Sequence, residues 1–241
     1  IKILNADLSD NNQIMDCFYK CDESYDILIN NAGMCATKKM VKFKDKSINK
    51  CLMVNLIAPY IFTEYMCKNK KVKKVITVNS ITHWIGSYPK PNDTFQQAYA
   101  NSKLSLMSLH TYWNMKYSDI KFVSINPGYV DTGIWYPNAP GERIHKHLRK
   151  IFALIPEDTI EVFKGALDYN GSEPIYFSVN KESKIFLYLT NKLSYSFMLV
   201  NDFLGKLLLK SDKAEINISS PNSQNLETID KVVDFCTSIV D

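Results

Sequence analysis

The chain has 241 residues, of which 46% are hydrophobic and 22% charged, and its formal net charge is +4. This composition excludes a disordered or fibrous protein, and a chain of this length can bury one sizeable core. The charge excess is mild, and the sequence shows neither a stripe of Lys/Arg nor a nucleic-acid-binding signature. We therefore expect no nucleic-acid partner.

The six cysteines show neither a paired C-x-x-C spacing nor a cysteine–histidine metal pattern. They predict reduced thiols, a cytoplasmic protein and no metal site. His145 and His147 stand two residues apart, but no further ligand types accompany them. No uninterrupted apolar run reaches the length that spans a bilayer.

Apolar runs and helical repeats alternate through the first half of the chain. We predict strands at residues 1–6, 25–33, 72–80 and 120–126. Between them we predict helices after the capping segment 7–10, at about 47–69 and at about 94–117. This alternation indicates an α/β fold with a parallel sheet that helices cover on both faces.

The pattern loosens after Thr132. We expect a basic amphipathic helix at 142–154, a capped helix from Glu157 and a last strand at 174–179. The apolar stretch 185–209 leaves three alternatives open. It lies on a membrane surface, packs over a substrate cavity or joins a dimer interface.

Tyr99 and Lys103 stand four residues apart on a predicted helix, so their side chains lie on nearly the same face. A free phenol has a pKa of about 10 and is a poor base at neutral pH. A nearby ammonium group favours the phenolate, and we expect it to lower the pKa of Tyr99 by roughly one to three pH units. A tyrosine tuned in this way can exchange a proton with a substrate oxygen. Alone, the same spacing also arises by chance on a solvated face.

Small and polar residues stand where two predicted strands end. Ser80 closes one strand, and its hydroxyl can donate to a substrate oxygen, although it can equally cap a helix. The run Asn30-Asn31-Ala32-Gly33 closes the other, and it can be a plain turn or a place where a ligand approaches the backbone. Ligands bind at the carboxyl ends of parallel strands, so we expect these residues to share one cleft.

The order of these motifs resembles the short-chain dehydrogenase/reductase family. The matching residues are Asp7-Leu8, Asn30-Asn31-Ala32-Gly33, Asn55, Ser80, Tyr99-Ala-Asn-Ser-Lys103 and Pro127-Gly-Tyr-Val-Asp-Thr132. The resemblance implies a Rossmann-like, doubly wound parallel sheet in three α/β/α layers that lacks its first strand–turn–helix in this chain. It assigns residues 1–179 to an NAD(P)-binding domain and 180–241 to a C-terminal extension, which we expect to pack on the same domain.

The resemblance also implies a role for each matching residue. Tyr99 becomes the acid/base, Lys103 lowers its pKa and holds the nicotinamide ribose, and Ser80 polarises the oxygen of an alcohol or carbonyl substrate. Asn55 holds a relay water. The cofactor is NADP or NAD, with a slight preference for NADP. The cofactor-binding residues, besides Tyr99 and Lys103, are Asp7 (at the adenine), Leu8, Asn30, Ala32, Gly33, Pro127, Gly128, Val130 and Thr132 (at the carboxamide).

Pro59 supports the relay independently of the resemblance. It lies four residues after Asn55 on the predicted helix and has no N–H to donate to the Asn55 carbonyl. A buried carbonyl needs a partner, and a bound water is a natural one.

Segments 78–86 and 98–104 look like the retinol-dehydrogenase-like branch, as does the long loop between them. That branch handles retinoids, steroids and other lipid-like molecules, which implies a hydrophobic alcohol or carbonyl substrate. It leaves open a homodimer and association with the cytosolic face of an intracellular membrane. Three apolar residues, Ile134, Trp135 and Tyr136, have two interpretations. They belong to a lid over the substrate, or they simply pack under a loop.

One part of the family pattern is missing from the sequence. The glycine-rich turn that cradles the pyrophosphate should precede Ile1, with the residue that selects NAD or NADP. Either the chain belongs to a longer product, or the natural protein lacks half of its cofactor site. A catalytically silent relative, acting as a binding or scaffolding module, is the competing function. The complete set of Asn55, Ser80, Tyr99 and Lys103 favours the enzyme.

Overall fold

The computed structural model describes residues 2–21, 23–35, 37–93, 95–132, 134, 153–171, 173, 175–178, 215–217 and 219–241. The apolar stretch 185–209 lies outside the described residues, as does the predicted helix at 142–154 except for its last two residues. None of the helices in the described part has the length and apolarity needed to cross a bilayer.

In the described part of the chain a five-stranded sheet forms the centre, in the order β1 (Tyr25–Asn30), β4 (Val72–Val78), β5 (Lys121–Asn126), β6 (Ile175–Ser178) and β7 (Glu215–Asn217). The first four strands are parallel and β7 runs antiparallel to β6, so the predicted α/β fold is confirmed. The elements in chain order are α1 (Asn11–Lys20), β1 (Tyr25–Asn30), β2 (Met40–Phe43), β3 (Lys46–Asn49), α2 (Lys50–Leu52), a π-helical turn (Met53–Ile57), α3 (Ala58–Lys68), β4 (Val72–Val78), a 3-10 turn (Ile81–Trp84), α4 (Phe95–Lys116), β5 (Lys121–Asn126), a second 3-10 turn (Pro156–Thr159), α5 (Ile160–Asp168), β6 (Ile175–Ser178), β7 (Glu215–Asn217), α6 (Pro221–Gln224) and α7 (Leu226–Val240).

Helices cover both faces of the sheet, as the continuous apolar strands predict. Successive side chains of a strand point to opposite faces. Val75 of β4 and Phe122 of β5 therefore pack in a large core with residues of α3, α4 and α7. Their chain neighbours, Ile76 and Val123, pack on the other face against Val162 of α5.

Two predictions near the start of the chain are wrong. Residues 2–6 form no strand, because a strand needs a hydrogen-bonded neighbour and the described residues supply none for this segment. Among the described residues no strand lies beside the outer edge of β1, and Ile29 is 44% exposed. The helix predicted from about 47 begins only at Lys50, because β2 and β3 form an antiparallel hairpin that turns at Lys44, where φ is 54°.

The helix that carries Asn55 contains a π-helical turn, Met53–Ile57, which ends two residues before Pro59. The Ala58 N–H donates to the Met53 carbonyl, five residues back rather than four. Proline has no N–H for a regular helix and its ring crowds the carbonyl four residues earlier, so a wider turn accommodates it. The water predicted at the Asn55 carbonyl stays a prediction.

Helix α7 lies in the C-terminal part of the chain, for which we predicted no element beyond the strand at 174–179. It buries Val232, Phe235 and Cys236 in the same core as α4. Two lysines of the β2–β3 hairpin donate to carbonyls at its C-terminus: Lys44 to Val240 and Asp241, and Lys46 to Ser238. Cations at this end of a helix interact favourably with its dipole and satisfy carbonyls that lack helical partners.

Candidate active site

Ser80, Tyr99 and Lys103 come together at the carboxyl end of β4. Ser80 follows this strand in an extended conformation, and α4 carries the other two side chains. The Ser80 and Tyr99 side chains share a hydrogen bond. The Lys103 ammonium donates to the Val78 carbonyl at 3.0 Å and lies 5.6 Å from the centre of the Tyr99 ring. The three side chains therefore occupy one location, as the sequence predicts.

Ser80 also caps the 3-10 turn that follows it, because its hydroxyl oxygen accepts the Thr82 N–H at 3.3 Å. The two interpretations of this serine, a helix cap and a polarising hydroxyl, are therefore compatible. In the cap the Ser80 hydroxyl oxygen acts as an acceptor, and the same hydroxyl group is also hydrogen-bonded to the Tyr99 phenol.

The pKa predicted for Tyr99 is wrong in direction. Burial raises the pKa of the phenol well above its usual value, and the hydrogen bond with Ser80 opposes this rise only in part. Spacing along a helix shows that Lys103 is near, but the burial of the phenol becomes visible only in the structure. With this pKa, the Tyr99 phenol keeps its proton at neutral pH and has one to donate.

Burial acts on Lys103 as well. Its side chain is 5% exposed, and desolvation lowers the pKa of the ammonium to about 8. The group is therefore mostly charged at neutral pH, close to the point at which it loses its proton. The Val78 carbonyl compensates one of its three N–H groups.

The Asn55 side chain holds the turn that follows β1. Its amide oxygen accepts the Met34 N–H at 2.9 Å, and its amide nitrogen donates to the Met34 carbonyl at 3.0 Å. The same nitrogen lies 3.3 Å from the Ser102 hydroxyl, which in turn donates to the Tyr99 carbonyl at 2.7 Å. Asn55 thus links the turn after β1 to α4, a role that sequence reasoning did not identify.

The loop between Ser80 and α4 approaches that helix closely at Gly86. A Cβ atom at this position would lie 2.5 Å from the Ala100 carbonyl oxygen and 2.6 Å from the Leu104 Cβ. One residue further on, the Ser87 N–H donates to the Asn101 side chain at 2.7 Å. Sequence reasoning missed this contact, although a glycine in a long loop and an amide inside the Tyr-x-x-x-Lys motif are visible signals.

Cys51 is a further neighbour of the site that sequence reasoning missed. Its sulfur lies 3.3 Å from the Asn55 side-chain nitrogen and 3.7 Å from the Met34 carbonyl. Burial raises the pKa of the thiol to about 12, so it stays protonated, and Lys103 opposes the rise. A lone cysteine in an apolar repeat carries no signal from which this position could be predicted.

The residues predicted to line a cofactor cleft after β1 divide into two groups. The Asn30 side chain donates to the Thr63 hydroxyl at 2.9 Å and thereby ties the strand end to α3. Ala32 and Gly33 are exposed. A Cβ atom on Gly33 would meet the Asn55 side-chain oxygen at 3.5 Å, an ordinary contact.

Asp7 lies apart from the three central residues. Its carboxylate accepts the Ser9 N–H at 2.8 Å and the Ser9 hydroxyl at 2.7 Å, and these bonds hold its pKa below the usual range. Lys50 adds an ion pair at 3.3 Å. Leu8 packs against the large core. A polar cavity of about 490 Å³ separates this segment from the hairpin, lined by Asp7, Ser9, Asp10, Asn11, Asn12, Val41, Lys42 and Lys44.

The segment after β5 begins with a turn at Pro127 and Gly128. Gly128 has a φ of 80°, a conformation that favours glycine, and its N–H donates to the Asn126 side chain at 3.1 Å. Val130 then forms a bridge with Leu154.

The rest of this segment is only partly described. Thr132 is exposed and Ile134 partly buried. Trp135 and Tyr136 of the predicted lid, like His145 and His147, lie outside the described residues. Within those residues no group of three or more His, Cys, Asp or Glu side chains could hold a metal ion.

Comparison with known proteins identifies this arrangement. The family model described as short chain dehydrogenase matches residues 1–143, and the chain belongs to that family.

A 3-oxoacyl-(acyl-carrier-protein) reductase of Buchnera aphidicola subsp. Baizongia pistaciae is 30% identical over 157 residues, 61% of each chain. The chain spans about half to three fifths of the curated relatives it matches. A 4-hydroxyisoleucine dehydrogenase complexed with NADH shares the fold, with a TM-score of 0.52, 23% identity and coverage of 73% of this chain and 76% of that chain. So does an NADPH-bound carbonyl reductase from chicken fatty liver, at 0.51, 16% and 74% of each chain.

Proposed function

We propose that the protein is an NAD(P)(H)-dependent oxidoreductase that interconverts an alcohol and a carbonyl. The observation that carries the proposal is the hydrogen-bonded pair of Ser80 and Tyr99 beside the buried Lys103. These groups stand at the carboxyl end of a parallel strand, where α/β sheets bind their ligands. Family membership and the NADH and NADPH complexes of structural neighbours support the assignment.

The chemistry follows from the protonation states. Tyr99 is protonated at neutral pH because burial raises its pKa, so it can donate its proton to the oxygen of a carbonyl as negative charge develops there. The Ser80 hydroxyl is hydrogen-bonded to the same phenol and can stabilise the same oxygen. After the transfer Tyr99 is a phenolate, and the positive charge of Lys103 stabilises its negative charge.

The residues at the strand ends fit a dinucleotide in part. The exposed Gly33 has no side chain to obstruct a ligand, and Lys103 has N–H groups beyond the one bound by Val78. We assign Lys103 to the ribose, Asn30 and Gly33 to the cleft and Thr132 to the carboxamide side. Ala32 and Gly128 are further cofactor-binding residues. A bound nicotinamide supplies the hydride in reduction or accepts it in oxidation.

The finer assignments are also proposals. We infer a hydrophobic substrate of the retinoid, steroid or lipid-like class, supported by the long loop between Ser80 and Tyr99 and by the apolar Ile134. We place residues 180–241 in the same domain as 1–179, supported by the packing of α7 on α4. The free thiols of all six cysteines support a cytoplasmic location.

The test is the substitution Tyr99→Phe in the full-length protein. Phenylalanine keeps the ring but removes the proton donor, so turnover of an aldehyde and ketone panel should fall about 100- to 10,000-fold while the dinucleotide Kd stays unchanged. Lys103→Met should lower turnover and weaken cofactor binding, and Ser80→Ala should lower turnover alone.

A matched control is Tyr112→Phe. Tyr112 lies on the same helix, and its hydroxyl accepts a hydrogen bond from Lys116 at 2.9 Å, away from Ser80. This variant should keep its turnover. A wild-type protein that binds the dinucleotide but turns over no carbonyl or alcohol would favour the silent binding module instead. Full turnover in Tyr99→Phe would refute the assigned acid.

A further inference from the structure

His83 is a fully buried histidine three residues after Ser80, in the 3-10 turn that Ser80 caps. Its ring stands edge-on to Tyr176 of β6, with centroids 5.3 Å apart. The proposed proton chemistry does not involve this side chain. Both nitrogens of a buried imidazole are expected to have hydrogen-bond partners.

Both nitrogens of the His83 ring have partners on different parts of the chain. Nδ1 lies 2.8 Å from the Ser80 carbonyl oxygen, and Nε2 lies 3.2 Å from the Ser220 backbone nitrogen. A carbonyl can only accept, so Nδ1 must carry the hydrogen. A backbone N–H can only donate, so Nε2 must be bare. The two bonds therefore require the neutral Nδ1–H tautomer, and burial favours it by lowering the pKa of His83 to about 4.

We propose that His83 is a positioning residue for Ser80. Its ring links the Ser220 amide, at the start of α6, to the Ser80 carbonyl and so fixes the backbone that carries the Ser80 hydroxyl. The inference rests on the proposed function. The two bonds join the C-terminal helices to the 3-10 turn that follows Ser80, since α6 is followed directly by α7, which is packed on α4.

The geometry at Ser80 supports positioning. Its carbonyl accepts two hydrogen bonds from His83, one from the backbone N–H at 3.1 Å and one from Nδ1. A carbonyl has two lone pairs, so both are used. With this peptide held, one side-chain torsion remains to set where the Ser80 hydroxyl lies relative to the Tyr99 phenol. A misplacement of about 1 Å at a reacting group can cost about 100-fold in rate.

The test removes the Ser220 N–H without substituting His83 or Ser80. Ser220 has a φ of −60°, which proline adopts, so the backbone of Ser220→Pro can keep its course. The ring Cδ takes the place of the hydrogen that faces Nε2, so the variant removes the donor and also displaces the His83 ring. Its reference is Ser220→Ala, which keeps the N–H and loses only a hydroxyl that has no partner among the described residues. In the full-length protein, kcat for a carbonyl should be about 10- to 100-fold lower in Ser220→Pro than in Ser220→Ala, with the dinucleotide Kd unchanged.

A second variant guards against a folding defect. His83→Asn places an amide where Nδ1 stood, so it keeps the bond to Ser80 and loses the bond to Ser220. It should lower kcat as Ser220→Pro does, and the double variant should be no slower than the slower single variant, because both break the same link. Additive losses, or a Ser220→Pro protein as fast as Ser220→Ala, would overturn the proposal.

A measurement without turnover separates this proposal from the proposed function. Nitrogen-15 NMR of labelled histidine should show His83 as the Nδ1–H tautomer at neutral pH, with its Nε2 signal displaced in Ser220→Pro. The opposite tautomer would overturn the link even in an active enzyme. A wild-type protein inactive on every substrate would overturn the proposed function, and the positioning role with it, while the tautomer still reported on the bond.

Discussion

Gly86→Ala should move the loop that carries Ser80 away from α4. The new Cβ would stand 2.5 Å from the Ala100 carbonyl oxygen and 2.6 Å from the Leu104 Cβ, and neither atom is the end of a flexible side chain. Ordinary contacts of such atoms are about 3.5 Å or more, so the loop and the helix must separate by about 1 Å. Overpacking of this kind costs about 1–3 kcal/mol. At about 2–4 °C per kcal/mol for a chain of this size, the Tm should fall by roughly 2–12 °C.

Thermal unfolding followed by circular dichroism measures this change. The matched control is Gly33→Ala, where the added Cβ would meet its nearest neighbour at 3.5 Å and should leave Tm nearly unchanged. Turnover of the Gly86→Ala protein should also fall, by about 100-fold for a displacement of about 1 Å. A Gly86→Ala protein that melts within about one degree of the wild type would refute the reasoning.

Three further predictions concern protonation and cofactor binding. Lys103 has a pKa of about 8 in the folded protein against 10.5 as a free group, so only the unfolded chain holds its proton between these values. The difference between the free energies of unfolding of the wild type and Lys103→Met should therefore rise, in favour of the wild type, by roughly 3 kcal/mol from pH 8 to pH 10.5. Urea titrations that show the same difference at both pH values would contradict this. Burial lowers the pKa of His110 from 6.5 to about 4, so between these pH values the unfolded chain binds the proton and the folded protein does not. As the pH drops through this window, the free energy of unfolding of the wild type should fall by roughly 3 kcal/mol more than that of His110→Leu. Equal acid sensitivity in the two proteins would count against this prediction. Calorimetry with NADH and NADPH should give dissociation constants weaker than micromolar for the 241-residue chain, because its sequence has no glycine-rich turn to hold a pyrophosphate; micromolar binding would show that other residues hold it.

The parts of the site that follow from local pattern could be predicted from the sequence. Tyr99 and Lys103 share a helix face because of their spacing, and Ser80 stands at a strand end because the apolar run before it stops there. The carboxyl ends of parallel strands share one edge, which brings the three together. Each of these steps depends on periodicity or on sheet topology, both of which are visible in a sequence.

The parts that depend on burial or on a distant partner could not be predicted. The pKa of Tyr99 is set mainly by desolvation, which spacing along a helix does not reveal, so the predicted direction of its shift is wrong. Residues 2–6 have strand propensity, but a strand forms only beside another. Helix α7 is a different case, because its buried residues Ile229, Val232, Phe235 and Ile239 recur at a spacing that predicts a helix.

The contact of Lys44 with the end of α7 joins positions 196 residues apart. Until α7 has been synthesised, the face of α4 that it covers stays open to water, and the Ser220 amide that His83 needs is not yet available. Such long-range closures are slow because a large loop must be ordered before its contacts can form. On the ribosome, therefore, the chain passes through an interval in which its sheet can already pair while an apolar helix surface remains uncovered. During that interval the exposed apolar surface makes the unfinished chain prone to aggregation.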